Sequence, residues 1–249
     1  MIIDKEIQMT KILKAPTKEE AASLAADLFE SVISQKPNCV LGLATGSSPV
    51  SLYQELIARE KAGKIDFSSV RSVNLMSIRG LRRNIRRATA ISCRKICSII
   101  SPFVRRIPSC RTVLQRTPMP CVRPMRKDPR LGRIDLQLLG IGHDGHIGFN
   151  EPDAHFPRAT HETKLLEITR RANQRFFSSL EEVPAAAYTM GIGTVMAARR
   201  IVMVANGEDK AEILKEAFFG PVTPEVPASI LQFHPDVTLV CDEAAAKLL

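Results

Sequence analysis

Between Gly140 and Pro152 the chain reads GIGHDGHIGFNEP, which sets Asp144, His146 and Glu151 within eight residues of a glycine-rich turn. An imidazole titrates near neutrality, and a carboxylate bonded to its far nitrogen fixes the tautomer and raises its basicity. Two acids around one histidine therefore suit proton transfer to and from a bound molecule. The plain alternative is a loop histidine with two exposed acids. An apolar strand leading straight into the turn favours the catalytic reading, with Asp144, His146 and Glu151 as its residues. His143 has no such company and reads as a bystander.

A second loop, LGLATGSSP, offers different chemistry. Glycine and small hydroxyl residues let backbone N–H groups approach an anion, and a helix beginning at about Val50 adds its positive end. Ser47 and Ser48 are the candidate phosphate ligands. No Gly-Lys-Ser/Thr closes the loop, so it is not a Walker A motif. An ordinary strand-to-helix turn stays open as the other reading. Arg175 in RANQRFF and Lys210 in NGEDKAEIL could complete a phosphate grip, although each alone reads as a solvated surface charge.

The elements that must hold these loops alternate along the chain. MTKILKA reads as a first strand. Thr17, with Glu20 three residues on, opens a helix of the capping-box kind. NCVLGLA, VRSVNL, RIDLQLLGIG, RRIVMVAN and DVTLVCDEA read as strands, the most apolar of them buried on both faces. VSLYQELIAREKAG and GEDKAEILKEAFFG read as helices, and so does AAAYTMGIGTVMAA. Strands alternating with helices predict an α/β fold of three layers, Rossmann-like, with a mainly parallel sheet covered on both faces. No repeat or low-complexity linker interrupts it, so one domain over residues 1–249 is expected. In such sheets ligands bind beyond the carboxyl ends of the strands, where both loops fall.

Composition narrows the function classes. A hydrophobic content of 45% is globular. No run approaches the ~18 apolar residues of a membrane helix, and the first twenty residues are too charged for a secretory signal. The expectation is a cytoplasmic chain with no membrane partner. Six cysteines form no CxxC pair, so neither a zinc site nor disulfides are expected.

The net charge of +9 looks like a sign of polyanion binding until its distribution is read. Residues 76–133 hold 14 Arg, 2 Lys and a single acid, Asp128, a balance of +15 that leaves −6 on the other 191 residues. Four of the six cysteines lie in the same window, which has no tyrosine and one phenylalanine. Nucleic-acid binding would want interleaved aromatics or a helical basic face, and neither is present. No nucleic-acid partner is expected.

Taken together, LGLATGSSP, IDLQLLGIGHDGHIGFNEP, RANQRFF and TMGIGTV resemble glucosamine-6-phosphate deaminase, over roughly residues 9–75 and 134–245. The resemblance implies a small sugar-phosphate partner and conversion of glucosamine 6-phosphate and water to fructose 6-phosphate and ammonia, with no metal or other cofactor. It implies that His146 opens the pyranose ring while Asp144 and Glu151 orient and tune it. It gives the sugar phosphate to Ser47, Ser48, Arg175 and Lys210. It also asks for a carboxylate that carries a proton from C2 to C1, supplied in the family by the first acid of an NLDEY motif after a strand. This chain has NLMSI, with Met76 in that place, and a thioether accepts no proton at neutral pH.

The substitution does not stand alone. DEYKG encoded as GAT GAG TAT AAG GGG becomes MSIRG, Met76 to Gly80, when the first base is dropped. QSYRYFM encoded as CAG AGC TAC CGC TAT TTC ATG becomes RATAISC, Arg87 to Cys93, in the same way, and ICSIIS at Ile96 to Ser101 restores NLFDHI. Residues 76 to about 133 therefore read as an out-of-frame stretch of a deaminase gene, closed by a compensating shift near Leu131–Arg133, and the chain as it stands is expected to be impaired. Two other readings stay open: a non-catalytic sugar-phosphate sensor domain, which would keep the phosphate loop and dispense with the base, and a 6-phosphogluconolactonase-like hydrolase. The sequence is compatible with a homo-oligomer, and the poor match of DAHFPRATHETK to a regulatory site favours an unregulated form.

Overall fold

Thr17 caps its helix as its spacing to Glu20 predicts: its Oγ1 accepts the Glu20 N–H at 3.2 Å. The helix that follows, α1 (Lys18–Gln35), buries an Ala-rich stripe with Phe29 and Ile33. It follows strand β1 (Thr10–Ala15) and leads to β2 (Val40–Leu43), buried at every position. In this computed structural model residues 10–78, 109–111, 132–174, 179–181, 183 and 185–249 are described. The basic window therefore lies outside the described residues, apart from β4 (Met76–Ile78), β5 (Ser109–Arg111) and residues 132–133.

The remaining strands are β3 (Arg71–Asn74), β6 (Leu136–Leu139), β7 (His161–Lys164), β8 (Ala186–Thr189), β9 (Arg200–Ala205) and β10 (Val237–Asp242). Seven of them form one sheet in the order β1-β10-β9-β6-β2-β3-β5, with every pairing parallel. The expected α/β class and mainly parallel sheet are as found. From β2 the chain winds outward through β3 to β5, and from β6 it winds the other way through β9 and β10. The order thus reverses between β2 and β6, the place where sheets of this kind form their ligand crevice, beyond the carboxyl ends. Both loops singled out in the sequence leave these two adjacent strands.

Two ionic clusters brace the scaffold away from that crevice. Arg59 of α2 (Val50–Lys61) reaches Asp27 and Glu30 of α1 at 2.6 and 2.9 Å, and Glu55 at 2.8 Å, which locks the two helices together. At the amino end of the sheet Asp135 is buried and accepts from Lys36 Nζ and the Val40 N–H, both at 2.8 Å. Its charge is paired and hydrogen-bonded, as a buried carboxylate requires.

One element departs from its sequence reading. AAAYTMGIGTVMAA, expected to be helical, begins as β8 and only then makes a single helical turn, α4 (Ile192–Val195). Its preference for helix is overridden by pairing: β8 is the middle strand of a second, antiparallel sheet, β4-β8-β7. Met76 and His161 both stand in register with Thr189. The helix α3 (Glu167–Gln174) follows β7, and α5 (Ala211–Phe219) follows β9 and a 3-10 turn over Glu208–Lys210.

Candidate active site

The loop after β6 folds back on itself around His146. Gly142 N–H donates to the His146 carbonyl at 3.0 Å, and Gly145, at φ +81°, makes the turn between them. A side chain at Gly142 is excluded, because its Cβ would stand 2.3 Å from the imidazole. Asp144 Oδ1 accepts the His146 backbone N–H at 3.2 Å and lies 2.7 Å from its Nδ1. Glu151 Oε2 comes to 3.4 Å of the same Nδ1. Sequence spacing and structure thus agree in bringing Asp144, His146 and Glu151 together.

Their charges decide what the histidine can do. Burial alone would lower the imidazole pKa, but the two carboxylates outweigh it and raise it from 6.5 to about 9. The Asp144 carboxyl meets the same burial, which would raise its pKa, yet the imidazolium beside it holds it well below the usual carboxylate range. At neutral pH His146 is an imidazolium, with Asp144 and Glu151 beside it. With Nδ1 engaged, and with no partner for Nε2 among the described residues, Nε2 is the atom left to meet a substrate. It can donate a proton and take one back. Asp144, His146 and Glu151 also each offer a ligand atom within 4.8 Å of the others, a set that could hold a cation. A cation there would compete with the Nδ1 proton for the same space.

Three of the four phosphate candidates, Ser47, Ser48 and Lys210, lie at the neighbouring end of the sheet. Gly46 turns at φ +117°, Tyr53 of α2 donates its hydroxyl to the Ala44 carbonyl at 2.7 Å, and Ser47 accepts the Val50 N–H at 3.2 Å. Ser47 is exposed and Ser48 half-buried at the mouth of α2. Lys210 is buried at the start of α5, with Asp209 3.6 Å from its Nζ. Asn206 Nδ2 donates to the Ser48 carbonyl at 3.3 Å and so ties the loop of Lys210 to the serine loop. Arg175 lies outside the described residues.

Three residues near these groups escaped the sequence reading. Asp209 Oδ2 is 2.7 Å from His143 Nε2, so His143 has a partner after all, and the pair joins the histidine loop to the lysine loop. Asp242, at the end of β10, is buried and accepts the Gly207 N–H at 3.0 Å and the Ala245 N–H at 2.8 Å. It thereby holds Gly207 at φ +92°, the turn that leads to Lys210. Asn206 is the third. Each acts across a separation of 35 to 158 residues, so no local spacing announces it.

The position of Met76 is fixed by backbone alone. Leu75 N–H donates to the Leu43 carbonyl, the Leu75 carbonyl accepts the Met190 N–H, and Met76 pairs with Thr189. Thr189 Oγ1 in turn accepts the Phe149 N–H at 3.0 Å. Residue 76 therefore sits beside the loop that carries Glu151.

Known proteins resemble this arrangement along nearly the whole chain. A family profile described as glucosamine-6-phosphate isomerases/6-phosphogluconolactonase matches residues 109–240. A glucosamine-6-phosphate deaminase of Lachnoclostridium phytofermentans is 43% identical over 240 residues, covering 93% of this chain and 98% of its own length. One of Lactobacillus delbrueckii subsp. bulgaricus is 42% identical over 243 residues, covering 96% and 99%. A solved structure of a monomeric glucosamine-6-phosphate deaminase superposes with a TM-score of 0.84 at 35% identity, over 96% of this chain and all of the other. A 6-phosphogluconolactonase of Thermotoga maritima shares the fold, with a TM-score of 0.66 at 14% identity. The chain belongs to the glucosamine-6-phosphate isomerase/6-phosphogluconolactonase family.

Proposed function

We propose that this chain is built for deamination of glucosamine 6-phosphate to fructose 6-phosphate and ammonia, with water consumed. The observation that carries the reading is the Asp144–His146–Glu151 cluster, formed in a chain more than 40% identical to deaminases along nearly its whole length. His146 opens the ring. Asp144 and Glu151 keep its proton in place. Ser47, Ser48, Arg175 and Lys210 bind the phosphate, and the chain works in the cytoplasm without nucleic-acid or membrane partners.

The reading also holds that residues 76 to about 133 are an out-of-frame stretch, so that the proton shuttle is missing from the chain as it stands. Length supports this. Two relatives align over 93% and 96% of the chain and 98% and 99% of their own lengths, which supports the basic window replacing family sequence rather than adding to it. Two compensating shifts keep length, whereas an inserted basic segment would not.

Restoring the frame and supplying glucosamine 6-phosphate tests both parts. Ammonia release by the restored chain, absent from the original, is expected. Hydrolysis of 6-phosphogluconolactone in its place would make the chain a lactonase, and binding without turnover would make it a sensor. Sequencing the gene from codon 70 to codon 140 checks the frame directly.

A further inference from the structure

The turn that presents Lys210 is built on a glycine. Gly207 has φ +92° and ψ 149°, a region nearly closed to any residue with a side chain. A Cβ there would also stand 2.7 Å from Asp209 Oδ1. The Gly207 carbonyl accepts the Lys210 N–H at 3.1 Å, so the conformation of this one residue sets where Lys210 starts. From Gly207 the bonding leads away from the site. Its N–H donates to the Asp242 carboxylate, 3.0 Å from Oδ1 and 3.1 Å from Oδ2. Asp242 Oδ1 also accepts the Ala245 N–H at 2.8 Å, and the Asp242 carbonyl accepts the Ala246 N–H at 2.9 Å. One oxygen of a buried residue is therefore shared between the lysine turn and the turns that follow β10. A second tie runs beside it, for Lys247 pairs with Glu208 of the lysine turn. A buried carboxylate costs free energy unless N–H donors answer it, and charge-assisted bonds hold geometry more firmly than neutral ones.

We propose that Asp242 is a positioning residue for the phosphate grip, through which residues 243–249 and a phosphate at Lys210 stabilise one another. Asp242 meets the backbone of both turns, so its effect on the anion passes through Gly207. A phosphate that fixes Lys210 fixes Gly207, and with it the acceptor that the Ala245 N–H uses. Docking of residues 243–249 in turn prepares the lysine turn for the anion. Such coupling is reciprocal, and the factor by which one event favours the other is the same both ways. The proposal rests on the reading of Lys210 as a phosphate ligand, and it adds a residue and a segment that lie outside that grip.

Calorimetric titration of the full chain with fructose 6-phosphate, together with hydrogen exchange at the Ala245 amide, is the test. Asp242→Ala is expected to weaken binding about tenfold, the worth of a hydrogen bond to a charged group. Asp242→Asn loses the charge but keeps an oxygen for the Gly207 and Ala245 N–H groups, and is expected to lose no more than about threefold. Saturating fructose 6-phosphate is expected to slow exchange at Ala245 by about the same tenfold in the unsubstituted chain, and not in Asp242→Ala. Unchanged affinity in Asp242→Ala with a lowered melting temperature would make the residue structural only and overturn the proposal. Tighter binding by Asp242→Asn than by the unsubstituted chain would overturn it too, marking the charge as an opponent of the anion. Should Asp242→Ala fail to fold, the unsubstituted chain decides, because an Ala245 amide that ligand does not slow removes the coupling. Lys210→Ala separates this proposal from the reading beneath it. If Lys210→Ala weakens binding and Asp242→Ala does not, the phosphate reading survives and this proposal falls. If Lys210→Ala leaves binding unchanged, the reading of Lys210 falls first and takes the proposal with it.

Discussion

The loop after β6 and the end of β3 meet at one crevice in opposite chemical condition. Around His146 each group has a partner that sets its charge: Asp144 on Nδ1, Glu151 behind it, and a glycine at 142 where any side chain would collide with the ring. Beyond β3, two strands along the sheet from β6, the backbone of residue 76 is held in register with Thr189, yet the residue there is methionine and carries no acid. The fold positions a residue at that place whatever its chemistry. Backbone pairing and catalytic competence are therefore separable, and a family fold around a site is not proof that the site turns over.

The largest expected effect breaks this contrast from the deficient side. Restoring the frame over residues 76 to 133 is expected to raise ammonia release by at least about 10³-fold over the original chain, within the range one positioned acid/base group contributes. Met76→Asp alone should recover far less, because the surrounding window lacks the apolar pattern that lets a segment join a core. Full recovery from the single substitution would leave the frame account without work to do. From the intact side, His146→Gln in the restored chain is expected to cut kcat by about 10²- to 10⁴-fold, read in the same ammonia assay.

How much of this was legible before the structure depends on distance along the chain. The histidine cluster spans eight residues, so its membership could be read directly. The Thr17 cap and the buried strands β2 and β6 are equally local signals. AAYT was misread because its strand state comes from two partners, β4 and β7, that lie far from it in sequence. Asp209, Asn206 and Asp242 were missed for the same physical reason: each acts through a bond that only the folded sheet creates.

Lys210 sharpens the contrast at the phosphate end. It is buried, with the Asp209 carboxylate 3.6 Å from its Nζ, and a bound phosphate would bring a second anion to the same charge. Lys210→Ala in the restored chain is expected to raise KM by about 10- to 100-fold, the worth of a hydrogen bond to a charged group, with kcat changed far less. A fall in kcat alone would move Lys210 from binding to chemistry.

Acidity offers a gentler probe of the His146 cluster. Because its pKa is raised in the folded state, its stabilisation is fully present below about 6.5 and is lost as pH climbs through about 9. Asp144 works the other way: its contribution is present above 3.8 and is lost as pH falls toward its depressed folded value. The original chain, or the restored one, should therefore outlast its His146→Gln variant in thermal melts near neutrality by at most about 3 kcal/mol. That difference should close above about pH 9. A gap that persists at pH 10 would mean that packing of the ring, rather than its charge, is what the cluster contributes.

The smallest expected effect comes from the pair that joins the two loops. His143 and Asp209 are both more than half exposed, and such pairs are worth little in water. Asp209 nonetheless offers one oxygen, Oδ2, to two neighbours, His143 at 2.7 Å and Lys210 at 3.6 Å. Removing the imidazole frees that carboxylate to lean on Lys210, where it opposes an incoming phosphate. His143→Asn in the restored chain should then raise KM by about threefold, and Asp209→Asn should lower it or leave it unchanged, both effects shrinking in 1 M salt as exposed charges are screened. Opposite signs would make Asp209 a brake on Lys210 that His143 holds off. Equal rises from both substitutions would make the pair a clasp between loops, with its charge incidental to phosphate binding.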